Sequence, residues 1–572
     1  MNRKNLTAAV LAALAGAAGI AGTAQAVNIN PDGTGQVLLY PYYTANDGNQ
    51  TILSVVNTTQ QAKAMKVRFL EGFNSREVLD FNLYMSAFDV WVAAIADGGD
   101  LGFPDQTGVT HLVIPDSSCT VPYLYGWGVE AGLGFGLQAF LDLAYTGTVD
   151  DGGPQSIERA AEGHFEIIEM GTLTNGSAVP ADPDATPPVV GVMGSAAQVT
   201  HGDDGLPADC WALTDKWTEN GDASKSGLWF KEAALNDGQA STDTTRNSGG
   251  LFGTAAVINS ENGTMFSYDA TAIQGFDDTS DGIHYIPGGI RPSLNSGNQT
   301  DAWVFFGVPQ NTSVMLDYDY SVDAVSAVLM HENIMNEYTI EEDLNAATEW
   351  VVTFPTKNFY ADYDRMVAAG IKDELDLCGP TDPEDCEDEL ATPRDPFTAV
   401  FAETNATGDR VCEVVGLKTW DREELTFEPD TPVPGTRPPV VSPSIPGCDP
   451  TLGDPDCQPD EVQFQLCNEV NVLRFGDNSI FGTPDFGDDG SLLLSVENEY
   501  GSGWGWINFG GTDRLLVDDT GAALVGLPVA GFAAQEYEND FVDGGDVKAN
   551  YGGLFKHKAN VRGVSDSRPT PQ

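Results

Sequence analysis

Met65-Lys66-Val67-Arg68-Phe69, at the centre of the run Ala64 to Leu70, alternates apolar and basic side chains. Successive residues of an extended strand point to opposite faces, so this stretch predicts a strand with Met65, Val67 and Phe69 toward a core and Lys66 and Arg68 toward water. Leu79, Phe81, Leu83 and Met85 repeat the same period within Val78 to Met85. With Val37 to Tyr43 and Thr51 to Asn57 they make a four-strand opening, half of a β-sandwich.

Further strands are expected at His164 to Met170, Leu251 to Asn259, Met265 to Ile273, Trp303 to Val308, Trp350 to Phe354, Leu492 to Val496 and Trp504 to Phe509. Helical periodicity is scarce, and Ser321 to Glu337 is the best helical candidate. The fold class is therefore all-β: antiparallel β-sandwich domains, Ig-like or jelly-roll-like, with long acidic loops and few short helices. Val55-Val56-Asn57, Val257-Ile258-Asn259 and Val496-Glu497-Asn498 each end an apolar segment on asparagine before a polar turn. Asparagine tolerates the left-handed backbone of tight turns, so each block predicts a hairpin, and together they point to sandwich units related by pattern. Residues 27–375 are expected to form the sandwich core region as two units, 376–460 an acidic Pro-rich insertion with cystine loops, and 461–572 C-terminal strands packing on the core.

Met1 to Ala26 has the form of a cleavable export signal: Arg3 and Lys4, an apolar stretch from Leu6 to about Gly22, then Ala24-Gln25-Ala26. No later apolar run reaches the roughly 20 residues that span a bilayer, so no transmembrane segment is expected after signal cleavage. Asp and Glu total 85 against 27 Lys and Arg, a net charge of -58. That excess repels phosphate backbones and anionic headgroups, which argues against nucleic acid and bare membrane as partners. It favours cations. Calcium is the expected cofactor, because a hard cation takes carboxylate and carbonyl oxygens crowded in a turn. Asp277, Asp278 and Asp281 in one loop and Asp454 and Asp456 in another are the candidate ligands, though neither loop completes an EF-hand spacing.

The eight cysteines agree with an oxidising compartment. Cys378 with Cys386 and Cys448 with Cys457 bracket short Pro- and Asp-filled segments, each suited to closing on itself. Cys412 and Cys467 lie in apolar stretches that read as strands, which predicts a cross-strand bridge, and Cys119 and Cys210 remain. By loop-closure entropy the bridge from Cys412 to Cys467 would contribute roughly 4 kcal/mol and each short one nearer 2.5 kcal/mol.

Catalytic motifs are scarce. His331-Glu332-Asn333-Ile334-Met335 opens like a zincin helix, but Met335 stands where the second histidine is needed. Six scattered histidines give imidazole chemistry little material, and no nucleophile elbow or P-loop occurs. Glu166 with Glu169 and Asp317 with Asp319 are carboxylate pairs of the kind glycoside hydrolysis uses, yet 85 acids make such pairs inevitable. Trp504 and Trp506 occupy alternate positions of one strand and share a face, so they are the candidate ligand-binding residues for stacking on sugar rings. Packing between sheets is the commoner fate of such a pair.

Several phrases carry a resemblance: Val37 to Tyr43 (VLLYPYY), Lys66 to Trp91 (KVRFLEGFNSREVLDFNLYMSAFDVW), Glu349 to Lys357 (EWVVTFPTK), and Tyr551 to Phe555 with His557 just beyond. They resemble a group of uncharacterised secreted β-rich proteins of proteobacteria and are spread over most of the chain. The resemblance implies one integrated exported β-rich protein and brings no activity or catalytic residue with it. The expected function is that of a non-enzymatic structural or adhesive protein, extracellular or at the cell surface, with the periplasm as alternative location. Its partners would be other copies of itself or a cell-surface polysaccharide. The competing expectation is a secreted polysaccharide-binding or polysaccharide-cleaving protein.

Overall fold

The four opening segments form strands Val37–Thr44, Asn49–Asn57, Lys63–Glu71 and Glu77–Met85. The structure, a computed structural model, describes residues 26–181, 183, 188, 190–307, 312–372, 393–398, 412–427, 462–487, 490–496, 500–511, 513–539, 541–542 and 547–565. Almost all of the candidate leader, Cys378, Cys386, Cys448, Cys457, Asp454 and Asp456 lie outside the described residues.

Four larger sheets build the molecule as layered sandwiches whose strand pairs are antiparallel except Val470–Phe475 with Leu493–Val496, which is parallel. Sheet 1 has eight strands and runs from Asn28–Ile29 through Val37–Thr44, Glu162–Leu173 and Lys63–Glu71 to Cys119–Val121. Sheet 2 has six, with Leu251–Asn259, Asn49–Asn57 and Val90–Asp97 at its centre. Met65, Val67, Phe69, Phe81, Leu83 and Met85 fill the space between them, where the period-two stripes put them. Sheet 3 has six strands, with Glu413–Asp421, Ser502–Asn508 and Asn333–Thr339 side by side. Sheet 4 has five, centred on Ala346–Thr353 between Val470–Phe475 and Ala530–Tyr537.

The basic face of Lys63–Glu71 does not meet water. On that face Lys66 is 0% and Arg68 3% exposed, and Lys63, on the opposite face beside Met85, is also 0% exposed. A buried cation needs a carboxylate with good geometry, and each has one: Lys63 with Glu169 (2.6 Å), Lys66 with Asp80 (2.7 Å), Arg68 with Glu77 (2.7 Å) and Glu166 (2.5 Å). Helices Cys210–Lys216 and Leu228–Ala233 and the turn through His284 cover this layer. Trp217 donates to the Tyr84 hydroxyl (2.8 Å), Tyr84 contacts His284 Nε2 (3.0 Å), and Lys66 Nζ reaches Ile286 O (3.1 Å). The bond from Cys119 to Cys210 ties the cover to the sheet edge.

The three central strands of sheet 4 are buried on both faces. Trp350 and Val352 point into the core shared with sheet 3 and helix Ser321–Leu329, while Ala347 and Val351 point into the core of the first sandwich. Phe532 and Phe481 pack on Tyr42 from that side, with ring centroids 6.1 and 4.8 Å away. Thr353 Oγ1 donates to Pro41 O (2.6 Å) and the Val470 amide donates to Gly72 O (2.8 Å).

Three expectations change. The helical candidate is a helix only over Ser321–Leu329, because Asn333–Thr339 pairs with Ser502–Asn508 as a strand and His331 of the zincin-like run pairs with Leu527 in the short strand Met330–His331. The segment 376–460 is not wholly an insertion, since Glu413–Asp421 from within it is an inner strand of sheet 3. The bond from Cys412 to Cys467 fastens that strand to Val462–Leu466, its neighbour. Asn57 does not end a hairpin: its side chain donates to Gln61 O and Ser86 O (both 2.7 Å) and shapes an arch from sheet 2 to sheet 1. Asn259, opposite Thr264, does close a hairpin.

One corner occurs twice. Where the chain crosses from sheet 1 to sheet 2, the Thr44 amide donates to Thr51 Oγ1 (3.0 Å), which donates back to Thr44 O (2.8 Å). Between sheets 3 and 4 the Thr339 amide and carbonyl hold Thr348 Oγ1 at the same two distances. Replacing either hydroxyl with a methyl leaves a buried amide and carbonyl unpaired, so Thr51→Val and Thr348→Val are each expected to lower unfolding free energy by about 1–3 kcal/mol in denaturant titrations. Unchanged midpoints would show that the corners contribute nothing.

Candidate functional site

Strand Ser502–Asn508 owes its orientation to two glycines. A Cβ on Gly503 would fall 1.8 Å from Trp420 O and 2.8 Å from the Tyr338 hydroxyl, and one on Gly505 would fall 3.2 Å from both Lys418 O and Trp350 Cη2. Their side of the strand closes on the core, and Trp504 and Trp506 take the opposite, outward face. Trp504 is 38% exposed and Trp506 is half-buried. The sheet-packing fate does not apply to this pair.

Neighbouring strands complete the face. Trp420, on Glu413–Asp421, lies opposite Trp504 and stacks on it with centroids 4.3 Å apart and planes 11° from parallel. Trp506 meets Trp420 edge-on at 6.2 Å and 84°. In the same row, Lys418 and Met335 flank Trp506, and Lys558 lies beyond Met335. Glu337 sits opposite Trp504. The Trp506 indole N–H is shielded and has no hydrogen-bond partner among the described residues, an unmet donor within an aromatic face. Stacking of Trp420 and Trp504 is worth about 0.5–1.5 kcal/mol beyond area burial and fixes both rings before any ligand arrives. Trp420 was hidden from sequence reasoning by the assignment of its segment to an insertion; its place one strand away from Trp504 is a fact of pairing alone.

The acidic candidates among the described residues do not assemble a comparable site, and Asp454 and Asp456 lie outside them. Asp277 is buried and accepts from Thr279 Oγ1 (2.8 Å), and burial pushes its carboxyl up to about 6. Asp278 accepts from Asn298 and Gln299, and Asp281 is exposed. Among the described residues no three or more His, Cys, Asp or Glu side chains converge as metal ligands. Glu166 and Glu169 are committed to Arg68 and Lys63. Lys216 touches the Ser195 hydroxyl and Asp243 (2.9 Å), but Ser195 is fully buried, and the cluster ties Ser177 to Asp243 instead of presenting a nucleophile.

Two acids meet where the sandwiches join. Glu162 accepts from Tyr42 (2.6 Å) and Thr483 (2.8 Å); Glu349, on sheet 4, accepts from the Phe481 amide (2.9 Å) and Ser479 (3.2 Å). Burial, with the Glu349 charge adding to it, pushes Glu162 up to about 8; burial pushes Glu349 up to about 7. Comparison with protein-family models, with curated proteins and with solved structures finds no match.

Glu162 and Glu349 hold their protons more tightly folded than unfolded, where a carboxyl titrates near 4.3. Their stabilisation is therefore complete below that value and is lost as pH rises through about 7 and 8. His164 and His284, held down to about 3 by burial, are neutral in both states above their unfolded range near 6.5 and add no slope there. The urea midpoint should fall between about pH 6.5 and 8.5, and Glu162→Gln should flatten that fall. A slope identical in wild type and variant would refute the assignment.

Proposed function

We propose that this chain is an exported, non-enzymatic binding protein of the cell surface or extracellular space, with the face of Trp420, Trp504 and Trp506 as its docking surface for polysaccharide. The observation that carries the reading is the exposed indole stack on an otherwise core-forming sheet. A solvent-facing pair of tryptophans gives up apolar burial that an inward position would provide, and a ligand recovers it. Pyranose rings suit such a surface, since their C–H faces stack on indoles while their hydroxyls reach polar neighbours. Glu337 and the unpaired Trp506 N–H lie beside the stack. Export is supported by the two cystines among the described residues, a bond type that persists in oxidising compartments. The strand that carries Trp420 is fastened by one of them, which fits a binding face meant to last outside the cell.

Affinity electrophoresis of the full chain through gels containing neutral and uronic-acid polysaccharides tests this. Retardation by at least one of them is expected, with affinity falling about tenfold or more in Trp504→Ala and Trp420→Ala, the loss of about 1.4 kcal/mol or more that one stacking surface supplies. Both positions lie on the outer face, so both variants should keep the wild-type far-ultraviolet circular dichroism. Wild-type retardation in the folded variants, or no retardation of wild type by any polysaccharide, would overturn the proposal.

A further inference from the structure

A second feature lies away from the indole face, where helix Tyr363–Ala368 meets the turn from Tyr285 to Ser296. They enclose a cleft of about 330 Å³, at the small end of ligand pockets. Arg291 and Arg365 line it together with Ser293, Ser296, Ile290 and Phe359, and no carboxylate side chain does so among the described residues. In a chain of net charge -58, a cavity with two guanidiniums and no acid runs against the composition.

Arg365 is the informative residue. Of the acids near it, Glu77 and Glu166 pair with Arg68 at 2.7 and 2.5 Å and Asp362 with Arg76 at 3.3 Å, while Glu469 accepts from the Ser75 hydroxyl and is pushed up to about 8 by burial. What Arg365 has is one long contact, Nη2 to Ser75 O at 3.4 Å. Burial and the neighbouring Arg68 charge lower its proton affinity below that of an ordinary arginine, with Glu77 and Asp362 opposing. Every other arginine of this buried region, Arg68, Arg76 and Arg159, has at least one carboxylate within 3.3 Å. A half-buried guanidinium that lines a cavity and has no described carboxylate within salt-bridge distance is a cation with much of its fork of donors unspent. Arg291, on the opposite wall, pairs with Asp237 (2.6 Å), but that carboxylate is 82% exposed and so competes with water for the contact.

We propose that this cleft binds an oxyanion carried by a small molecule, a carboxylate, sulfate or phosphate no larger than an acidic monosaccharide, with Arg365 as the deep partner and Arg291 as the outer one. Planar guanidiniums hold such groups by paired, charge-assisted hydrogen bonds. The hydroxyls of Ser293 and Ser296 stand beside them to receive or donate to the remaining oxygens, and Ile290 and Phe359 give the uncharged part of the ligand an apolar wall. The inference stands apart from the polysaccharide reading and shares no residue with it.

Calorimetric titration of the full chain with galacturonate, inorganic sulfate and inorganic phosphate, each against glucose as the neutral control, tests the proposal and separates the three sources of the anion. Saturable binding of at least one anion, none of glucose, and a loss of about tenfold or more in Arg365→Gln are expected, with Arg365→Lys retaining part of the affinity through its charge. Should Arg365→Gln fail to fold, Arg291→Gln, whose side chain is 41% exposed, decides the matter through a weaker loss of about threefold. Trp504→Ala should bind the anion as wild type does. Absence of binding for all three anions, equal binding of glucose, or wild-type affinity in a folded arginine variant would overturn the proposal.

Discussion

Strand Ala346–Thr353 is buried over its whole length, and it serves two cores at once. Residues at alternate positions face opposite ways in a pleated strand, so Trp350 and Val352 belong to one sandwich while Ala347 and Val351 belong to the other. Its neighbours Val470–Phe475 and Ala530–Tyr537 split in the same manner, with Val470, Val472 and Phe532 on one side and Leu473, Phe475 and Ala533 on the other. A sheet with a single wet face could be peeled from the molecule. This one cannot be removed without opening both interiors, and its Trp350 backs Gly505 from the inner side of sheet 3.

Charge is arranged with the same economy of space. The chain carries a large excess of acid, yet sheet 1 buries Lys66 and Arg68 on its outer face under a helical cover and Lys63 on its inner face, each with a carboxylate within 2.7 Å. Such pairs need not be net stabilising against an apolar alternative, but breaking one leaves a buried charge and is costly. They therefore fix register between Lys63–Glu71, Glu77–Met85 and Glu162–Leu173 more firmly than apolar contacts alone would. Against that background of paired charge, the arginine without a carboxylate at the cleft of helix Tyr363–Ala368 stands out.

The all-β class and the opening strands were legible because Met65, Val67, Phe69, Phe81, Leu83 and Met85 obey a two-residue period that survives in the folded core. The fate of Lys66 and Arg68 was not legible. Glu166, one partner of Arg68, comes from a strand 98 residues further on, Ile286 O reaches Lys66 Nζ from 220 residues on, and nothing local tells a buried basic stripe from a wet one. Asn333–Thr339 was lost to a helix reading for a related reason: its strand character comes from pairing with Ser502–Asn508, not from its own pattern. At the indole face, Trp504 and Trp506 are legible as an alternating pair, but their glycine neighbours fit either orientation, and the outward one follows from how closely Gly503 and Gly505 pack on Trp420 and Trp350. Trp420 required knowledge of strand order. The twin threonine corners have a faint trace in sequence, Tyr43-Thr44 before Thr51 and Tyr338-Thr339 before Thr348, where tyrosine and threonine precede a second threonine across a polar turn.

If the doubly buried strand joins both sandwiches into one cooperative body, differential scanning calorimetry of the disulfide-intact chain should show a single endotherm whose calorimetric and van't Hoff enthalpies agree. Two separable endotherms, the lower one melting sheets 3 and 4 while sheets 1 and 2 stay folded, would contradict it.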